Sequence, residues 1–371
     1  MRAWAGIAGA VLVAVVLWDA FETIVLPRRV TRRVRLTRFF YRATWRPFAA
    51  SARLVRAGGR REAYLGFYGP LSLLLLLVLW AAALVLGFGL LQYAAGSAAS
   101  LTNETARLTT DVYLSGTTFF TLGLGDVAPQ GTFARVLTVV ESGLGFGFLA
   151  IVIGYFPVLY QAFSRREVSI SLLDARAGSP PSAAELLRRH GGPGGAAALE
   201  RLLTEWERWA AELLETHLSY PLLAYFRSQH TNQSWLAALT TVLDTSALVM
   251  VGIEGGCARQ ALLTFAMARH AVVDLTQVFN TPPVAGPVDR LPAAALPRLE
   301  AALSAVDLPR AGGTVGAKLA EVRRSYEPYV ATLSRFLLLP LPEWDYETGR
   351  RDNWQSTGWG RRTVLPPAEH F

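Results

Sequence analysis

The chain has 371 residues, 52% of them hydrophobic and only 17% charged, against roughly 25% charged in an ordinary soluble domain. Its one cysteine, Cys257, excludes an intramolecular disulfide and a cysteine-based structural zinc site. The net charge of +8 is unevenly spread, and so is the hydrophobicity. Residues 1–163 carry nearly all the long apolar runs, whereas 164–371 alternate charged and apolar positions as a soluble protein does, so two parts are expected.

A helix needs about 20 apolar residues to cross hydrocarbon. The first candidate, Trp4 to Leu26, begins in "MRAWAGIAGAVLVAVVLWDAF". That start resembles a signal peptide but lacks a clear cleavage site, so it reads as a retained anchor over 1–26. Asp19 and Glu22 fall in its last two turns and are expected to pair with Arg28 or Arg32. The stretch from Pro27 to Ala63 follows, with twelve arginines and one acid, Glu62. Lying between apolar segments, this basic block points to a membrane surface with anionic lipids and away from nucleic acid. Arg35, Arg38, Arg42 and Arg46 share one helical face, with Phe39, Phe40, Trp45 and Phe48 among them. That pattern predicts an interfacial helix, cationic toward headgroups and aromatic toward acyl chains. A voltage sensor would need a bundle of countercharged partner helices, and only one extra helix exists.

Tyr64 to Tyr93 and Phe133 to Phe163 are the second and third crossings, with Tyr64, Tyr93, Tyr155 and Tyr160 at their ends, where aromatic residues favour the interface. The positive-inside rule places the arginine-rich loop in the cytoplasm, the N-terminus outside and the C-terminal part inside. "SRRE" at 164–167 agrees. Between these crossings, "AAGSAASLTNETARLTT" is a polar outer loop. "DVYLSGTTFF", Asp111 to Phe120, is a short amphipathic run with Asp111 suited to a helix N-terminus. Ten helical residues span about 15 Å, half of a core roughly 30 Å thick. The segment should enter, stop midway and return through "TLGLGDV" as irregular backbone lining water or buried in protein.

"TLGLGD", Thr121 to Asp126, resembles the selectivity filter of potassium channels, whose usual form is T-V-G-Y-G-D. The resemblance covers Tyr64 to Phe163, from outer helix to inner helix. Left-handed angles at alternate residues suit carbonyls that face one pore, and Gly123 and Gly125 adopt them at little cost. The resemblance implies K+ ions, without an organic cofactor, on the backbone carbonyls of Thr121, Leu122, Gly123 and Leu124 and on the Thr121 hydroxyl. One loop supplies one wall, so a homotetramer of cyclic symmetry is implied. Leu122 and Leu124 should pack behind the filter. Leu124 stands where relatives carry an aromatic that hydrogen-bonds into the surrounding cuff, and Leu122 where they carry valine. Thr117 takes the place of a polar residue, often Glu, so no carboxylate pair with Asp126 forms.

The inner helix carries Gly143, Gly145 and Gly147, read either as a hinge or as close packing of small residues. Pro157 should kink its cytoplasmic end. Glu141, a carboxylate in a membrane helix, either faces the cavity or bonds behind the pore helix at the filter's back wall.

After the pore domain (64–163) come a linker (164–198), a cytosolic helical domain (199–339) and a tail (340–371). "VSISLLDA" is briefly strand-like. Ser182 and Glu185 form a capping box, ahead of helices expected over Ala196–His217, Ser234–Glu254, Cys257–Phe279, Leu296–Val306 and Gly316–Leu339. "NTPPVAGP" breaks the set, and the tail reads as an extended arm or disordered. His217, Tyr220 and His230, with Asn232 and Gln233, form either a ligand, proton or metal sensor or a hydrogen-bonded helix junction. His270 and Asp274 share a face without making a metal site. Neither a dinucleotide-binding nor a P-loop motif occurs, and no nucleophile–base set recurs. The expected whole is an all-α membrane protein of a prokaryotic inner membrane: a tetrameric pore-loop channel with a cytosolic helical domain that gates or assembles it, and no enzyme. A poorly selective monovalent cation channel and a non-conducting receptor on a channel scaffold remain alternatives.

Overall fold

The computed structural model describes residues 1–26, 35–97, 104–230, 232–286, 289–304, 311, 315–346 and 352–355. Arg28 and Arg32, residues 98–103 of the polar outer loop, the expected helix end at Val306 and most of the tail lie outside them. The chain divides into two compact units, Met1–Gln161 and Ala162–Phe371. The described residues form helices and no strand, the fold of an all-α membrane protein.

In the first unit, α1 (Arg2–Ala20) ends in one π-turn, Phe21–Val25. Next come α2 (Leu36–Leu54), α3 (Gly59–Gly66), α4 (Tyr68–Ala95) and α5 (Glu104–Phe119). The long α6 (Thr132–Ala177) leads onward into the second unit. Small residues bring these helices together. A Cβ on Gly9 of α1 would stand 2.6 Å from the Gly87 carbonyl of α4, and one on Gly89 would stand 2.8 Å from the Val112 Cα of α5. Such close crossings suit helices that gain no hydrophobic drive from lipid.

Asp19 is buried and accepts from the Thr37 backbone N–H (3.1 Å) and from Trp80 Nε1 (3.2 Å). It therefore caps the N-terminus of α2, where a carboxylate meets unsatisfied N–H groups and a favourable dipole. Glu22 accepts from Trp18 Nε1 (2.8 Å) and lies 3.5 Å from Arg35. Arg35, expected at the headgroups, is drawn inward to Glu22 and Thr23, while Arg42 and Arg46 are exposed and Arg38 is half-buried. The aromatic face of α2 likewise packs on protein. Trp45 meets Tyr68 edge-on at 4.8 Å, and Phe48 stacks on Tyr64 at 4.7 Å. Of that aromatic set only Phe39 is well exposed.

The strand-like reading of "VSISLLDA" is overturned, because α6 runs unbroken to Ala177. Ile170, Leu173 and Ala177 recur at helical spacing and are all buried, which outweighs the local β-branched alternation. The second unit then adds α7 (Ala183–Arg189), capped by Ser182 accepting from the Glu185 N–H, and α8 (Gly195–Ser219). α9 (Trp235–Gly252) starts at its Ser234 cap, and α10 (Gly256–Phe279) and α11 (Leu296–Ser304) follow. The expected helix over Gly316–Leu339 is two, α12 (Val315–Arg324) and α13 (Glu327–Leu337). Pro328 has no N–H to continue the ladder.

Four helical segments, Arg2–Val25, Gly59–Ala95, Thr132–Ala177 and Trp235–Gly252, are long and apolar enough to cross a membrane. The last is 94% buried inside the second unit, so its apolarity serves a protein core. A buried ionic cluster backs that core: Arg290 pairs with Asp244, which also accepts from Tyr326 Oη at 2.6 Å. The tail is not free where it is described. Trp344 is buried, with Arg290 and Arg323 near its ring, Asp345 pairs with Arg188, and Asp352 lies 2.8 Å from Arg189.

Candidate functional site

The half-helix that precedes the glycines is longer than its amphipathic core predicted. α5 starts at Glu104 and has 16 residues, about 24 Å at 1.5 Å per residue. Asp111 is thus mid-helix and buried, not a cap. The polar run ahead of it continues the helix because it holds no Gly or Pro to stop it.

The end of α5 is a Schellman closure. Thr121 takes φ 58°, its N–H bonds the Thr118 carbonyl at 3.0 Å, and the Leu122 N–H reaches back to the Thr117 carbonyl at 2.8 Å. Glycine is the usual residue at that left-handed position. A β-branched threonine there costs about 1–2 kcal/mol and persists only where its surroundings over-determine it. Beyond it the left-handed angles recur at every second residue, with φ 54° at Gly123 and 78° at Gly125. Leu122 and Leu124 lie between them and are about two-thirds exposed in the single chain. Their expected packing behind the loop is not supplied by this chain's own described residues.

Asp126 closes the loop by accepting from Tyr113 Oη at 2.9 Å. Sequence reasoning had left Asp126 without a partner on α5 and missed Tyr113. The available signal was spacing: Tyr113 and Thr117 are four apart and share a helical face.

α5 is keyed on both sides. Toward α4, Ser115 Oγ donates to the Val85 carbonyl at 2.7 Å. Toward α6, the same hydroxyl bonds Glu141 Oε1. Glu141 has no exposed surface in the single chain and lies against α5 through Ser115. Its Oε2 has no hydrogen-bond partner among the described residues. One turn further along both helices, a Cβ on Gly145 would stand 2.1 Å from the Phe119 carbonyl. Ser115 with Phe119, and Glu141 with Gly145, are matching i, i+4 pairs on facing helices. Gly145 is therefore a close-packing glycine, whereas nothing lies within 4 Å of a Cβ on Gly143 or Gly147. Gln92, fully buried, ties α4 to α6 through the Ala134 carbonyl (3.2 Å) and Thr138 Oγ1 (3.0 Å). α6 continues as helix through Pro157.

The polar group of the second unit divides into separate environments. His217 is buried, with Nδ1 2.8 Å from the Leu213 carbonyl and Nε2 3.3 Å from Arg166 Nη1. An imidazole that donates through Nδ1 and accepts through Nε2 is neutral. Burial, with Arg166 beside it, lowers its pKa to about 3. Arg166 also donates to the Leu223 (2.8 Å) and Phe226 (2.9 Å) carbonyls and pairs with Glu167 at 2.9 Å, so it ties α6 to the segment that follows α8. Arg166 had been read as a topogenic charge. Tyr220 is half-buried and His230 exposed. His270 and Asp274 are 3.5 Å apart, and no group of three or more His, Cys, Asp or Glu among the described residues could hold a metal ion.

Residues 73–161 match a family model described as "Ion channel". A curated protein, the uncharacterized membrane protein YdjJ of Bacillus subtilis (strain 168), is 24% identical over 201 residues. That alignment covers 53% of this chain and 58% of the relative, so the chain spans well under two thirds of that protein's length. No solved structure matches the chain at a significant level. The family match supports an ion-channel pore over 73–161, carried by a multi-pass membrane protein.

Proposed function

We propose that four copies of this chain assemble around one axis as a potassium channel, with Thr121 to Asp126 as its selectivity filter. The observation that carries this reading is the left-handed angle at Thr121, Gly123 and Gly125 directly after a capped helix. Alternation of that kind turns successive carbonyls toward one side, where four strands replace the hydration shell of K+. The carbonyls of Thr121, Leu122, Gly123 and Leu124 and the Thr121 hydroxyl hold the permeating ions. The C-terminal ends of four α5 helices, at Phe119, direct their negative dipole ends at the ions beneath. Assembly is supported by what the single chain leaves uncovered: Val136, Val139, Phe146 and Ile153 on α6 and both filter leucines are exposed. Neighbouring copies cover these residues, and closed cyclic symmetry follows from one wall per chain.

Gly143 and Gly147 provide bending points on α6, with Pro157 nearer its cytoplasmic end. Arg38, Arg42 and Arg46 contact anionic headgroups. The membrane is a prokaryotic inner membrane, crossed with the N-terminus outside and the second unit cytoplasmic, where that unit gates or assembles the pore. The protein is not an enzyme and does not bind nucleic acid.

Leu124 favours one alternative. Leucine has no hydrogen bond to offer the surrounding cuff, so filter width depends on packing and on the Tyr113–Asp126 bond, and a poorly selective cation channel would result if these fail. Purified full-length protein in liposomes, under opposed K+ and Na+ gradients, tests both. A reversal potential near the K+ equilibrium value supports the reading; one near zero supports the poorly selective channel. Absence of flux removes both.

A further inference from the structure

The second unit contains a cavity of about 450 Å³ whose lining includes Arg176, Arg189, Arg201, His190, Gly194 and Glu205. Its chemistry is one-sided: three arginines and a histidine face a single carboxylate. Each element contributes differently. Arg176 ends α6 and lies 3.3 Å from Glu205, an exposed and replaceable pair. Arg189 is already held by Glu185 and Asp352, and so serves as fixed positive charge. Arg201, on the first turns of α8, makes no hydrogen bond or ion pair among the described residues. His190 is nine-tenths buried and spends Nδ1 on the Leu186 carbonyl at 2.7 Å. Its Nε2 has no partner among the described residues, although His190 lines the cavity.

The loop "HGGPGG", His190 to Gly195, supplies the backbone half of the site. Gly192 and Gly194 take φ 81° and 78°, and a Cβ on either would meet nothing within 4 Å. A Cβ on Gly195 would stand 1.9 Å from the His190 carbonyl, so only glycine lets the loop fold back this tightly. α8 begins there with no side-chain cap. Gly195 and Ala198 donate to the Gly192 and Gly194 carbonyls, whereas the first-turn N–H groups of Ala196 and Ala197 have no acceptor among the described residues. Unsatisfied N–H groups, a helix dipole and guanidinium groups together favour a phosphate.

We propose that this cavity binds a phosphate-bearing small molecule, its phosphate held by Arg176, Arg201, His190 Nε2 and the first-turn N–H groups of α8. The volume exceeds what one phosphate fills and lies in the range of small-ligand pockets, so the ligand carries a further moiety. Burial and the adjacent Arg176 lower the His190 pKa in the free protein, an electrostatic cost that an anion between the two groups relieves. This site stands independently of ion conduction.

The test is calorimetric titration of full-length protein in detergent with inorganic phosphate, pyrophosphate and ADP, with chloride as control. Competition by vesicles of phosphatidic acid against vesicles of phosphatidylcholine identifies the source. Saturable binding of a phosphate compound is expected, weakened tenfold or more by Arg201→Gln, in line with loss of a charge-assisted bond. Arg201 has no partner among the described residues, so the melting temperature of the ligand-free variant should match wild type. Competition by phosphatidic acid assigns the phosphate to a lipid headgroup, and its absence to a soluble ester; either supports the site. No saturable binding of any phosphate compound, or equal binding by wild type and both Arg201→Gln and His190→Gln, overturns it.

Discussion

Gly145→Ala separates two roles for the inner-helix glycines by the sign of its effect. If Gly145 only weakens α6, alanine should stabilise that helix by about 1 kcal/mol. The structure predicts the reverse. The new Cβ would lie 2.1 Å from the Phe119 carbonyl oxygen and 2.9 Å from its carbon, so reaching even a tight 3.0 Å contact moves the two backbones about 1 Å apart. Both partners are backbone in regular helices, and no flexible side chain absorbs the strain. Overpacking of this kind costs about 1–3 kcal/mol. Phe119 is two residues ahead of Thr121, so the displacement acts on the left-handed turn that begins the proposed filter. The assay pairs thermal unfolding in detergent with K+ flux in liposomes, using Gly143→Ala as the control, since nothing lies within 4 Å of that position. Gly145→Ala should lower both the melting temperature and the flux, and Gly143→Ala should change both less. Equal or higher stability and undiminished flux for Gly145→Ala would refute the close-packing account.

Tyr113→Phe removes the bond to Asp126, worth about 0.5–1.5 kcal/mol, and should shift the conducting fraction of the filter by up to about tenfold; single-channel open probability equal to wild type would count against it. Asp19→Ala leaves the Thr37 N–H and Trp80 Nε1 without their acceptor, and a loss of about 1–3 kcal/mol is expected from buried unsatisfied donors, read as a lower unfolding temperature of the first unit. His217 has a folded pKa of about 3 against an ordinary 6.5, so the unfolded chain takes up the proton first. Its contribution is fully present above pH 6.5 and falls by about 1.4 kcal/mol per pH unit below it, until pH approaches 3. Melting temperatures of wild type should fall from pH 6.5 to 5, and His217→Leu should flatten that slope.

Much of the pore is legible from residue order because the physics there is local. A long apolar run must be helix in lipid, and glycines two apart ahead of an aspartate mark repeated left-handed backbone. What the order of residues hides is which polar atoms meet across helices. Asp19 meets Thr37, eighteen residues on, and Trp80, sixty-one residues on, contacts that no local pattern announces. Glu141 is a membrane carboxylate to any reader, yet only the α5–α6 crossing shows that Ser115 meets it. The second unit shows the same limit: Arg166 looks like a boundary charge until α6 extends beyond it and four groups, Glu167, His217 and the Leu223 and Phe226 carbonyls, converge on its guanidinium. Trp344 and Asp352 look like tail residues because their partners, Arg290 and Arg189, are distant in sequence.

The most direct test of the central claim is a density map of the purified full-length particle in K+. Four copies should surround one axis, with cation density between rings of carbonyl oxygen from Thr121, Leu122, Gly123 and Leu124. A particle without four-fold symmetry, or one whose axis is lined by other residues while this loop faces solvent, would contradict it.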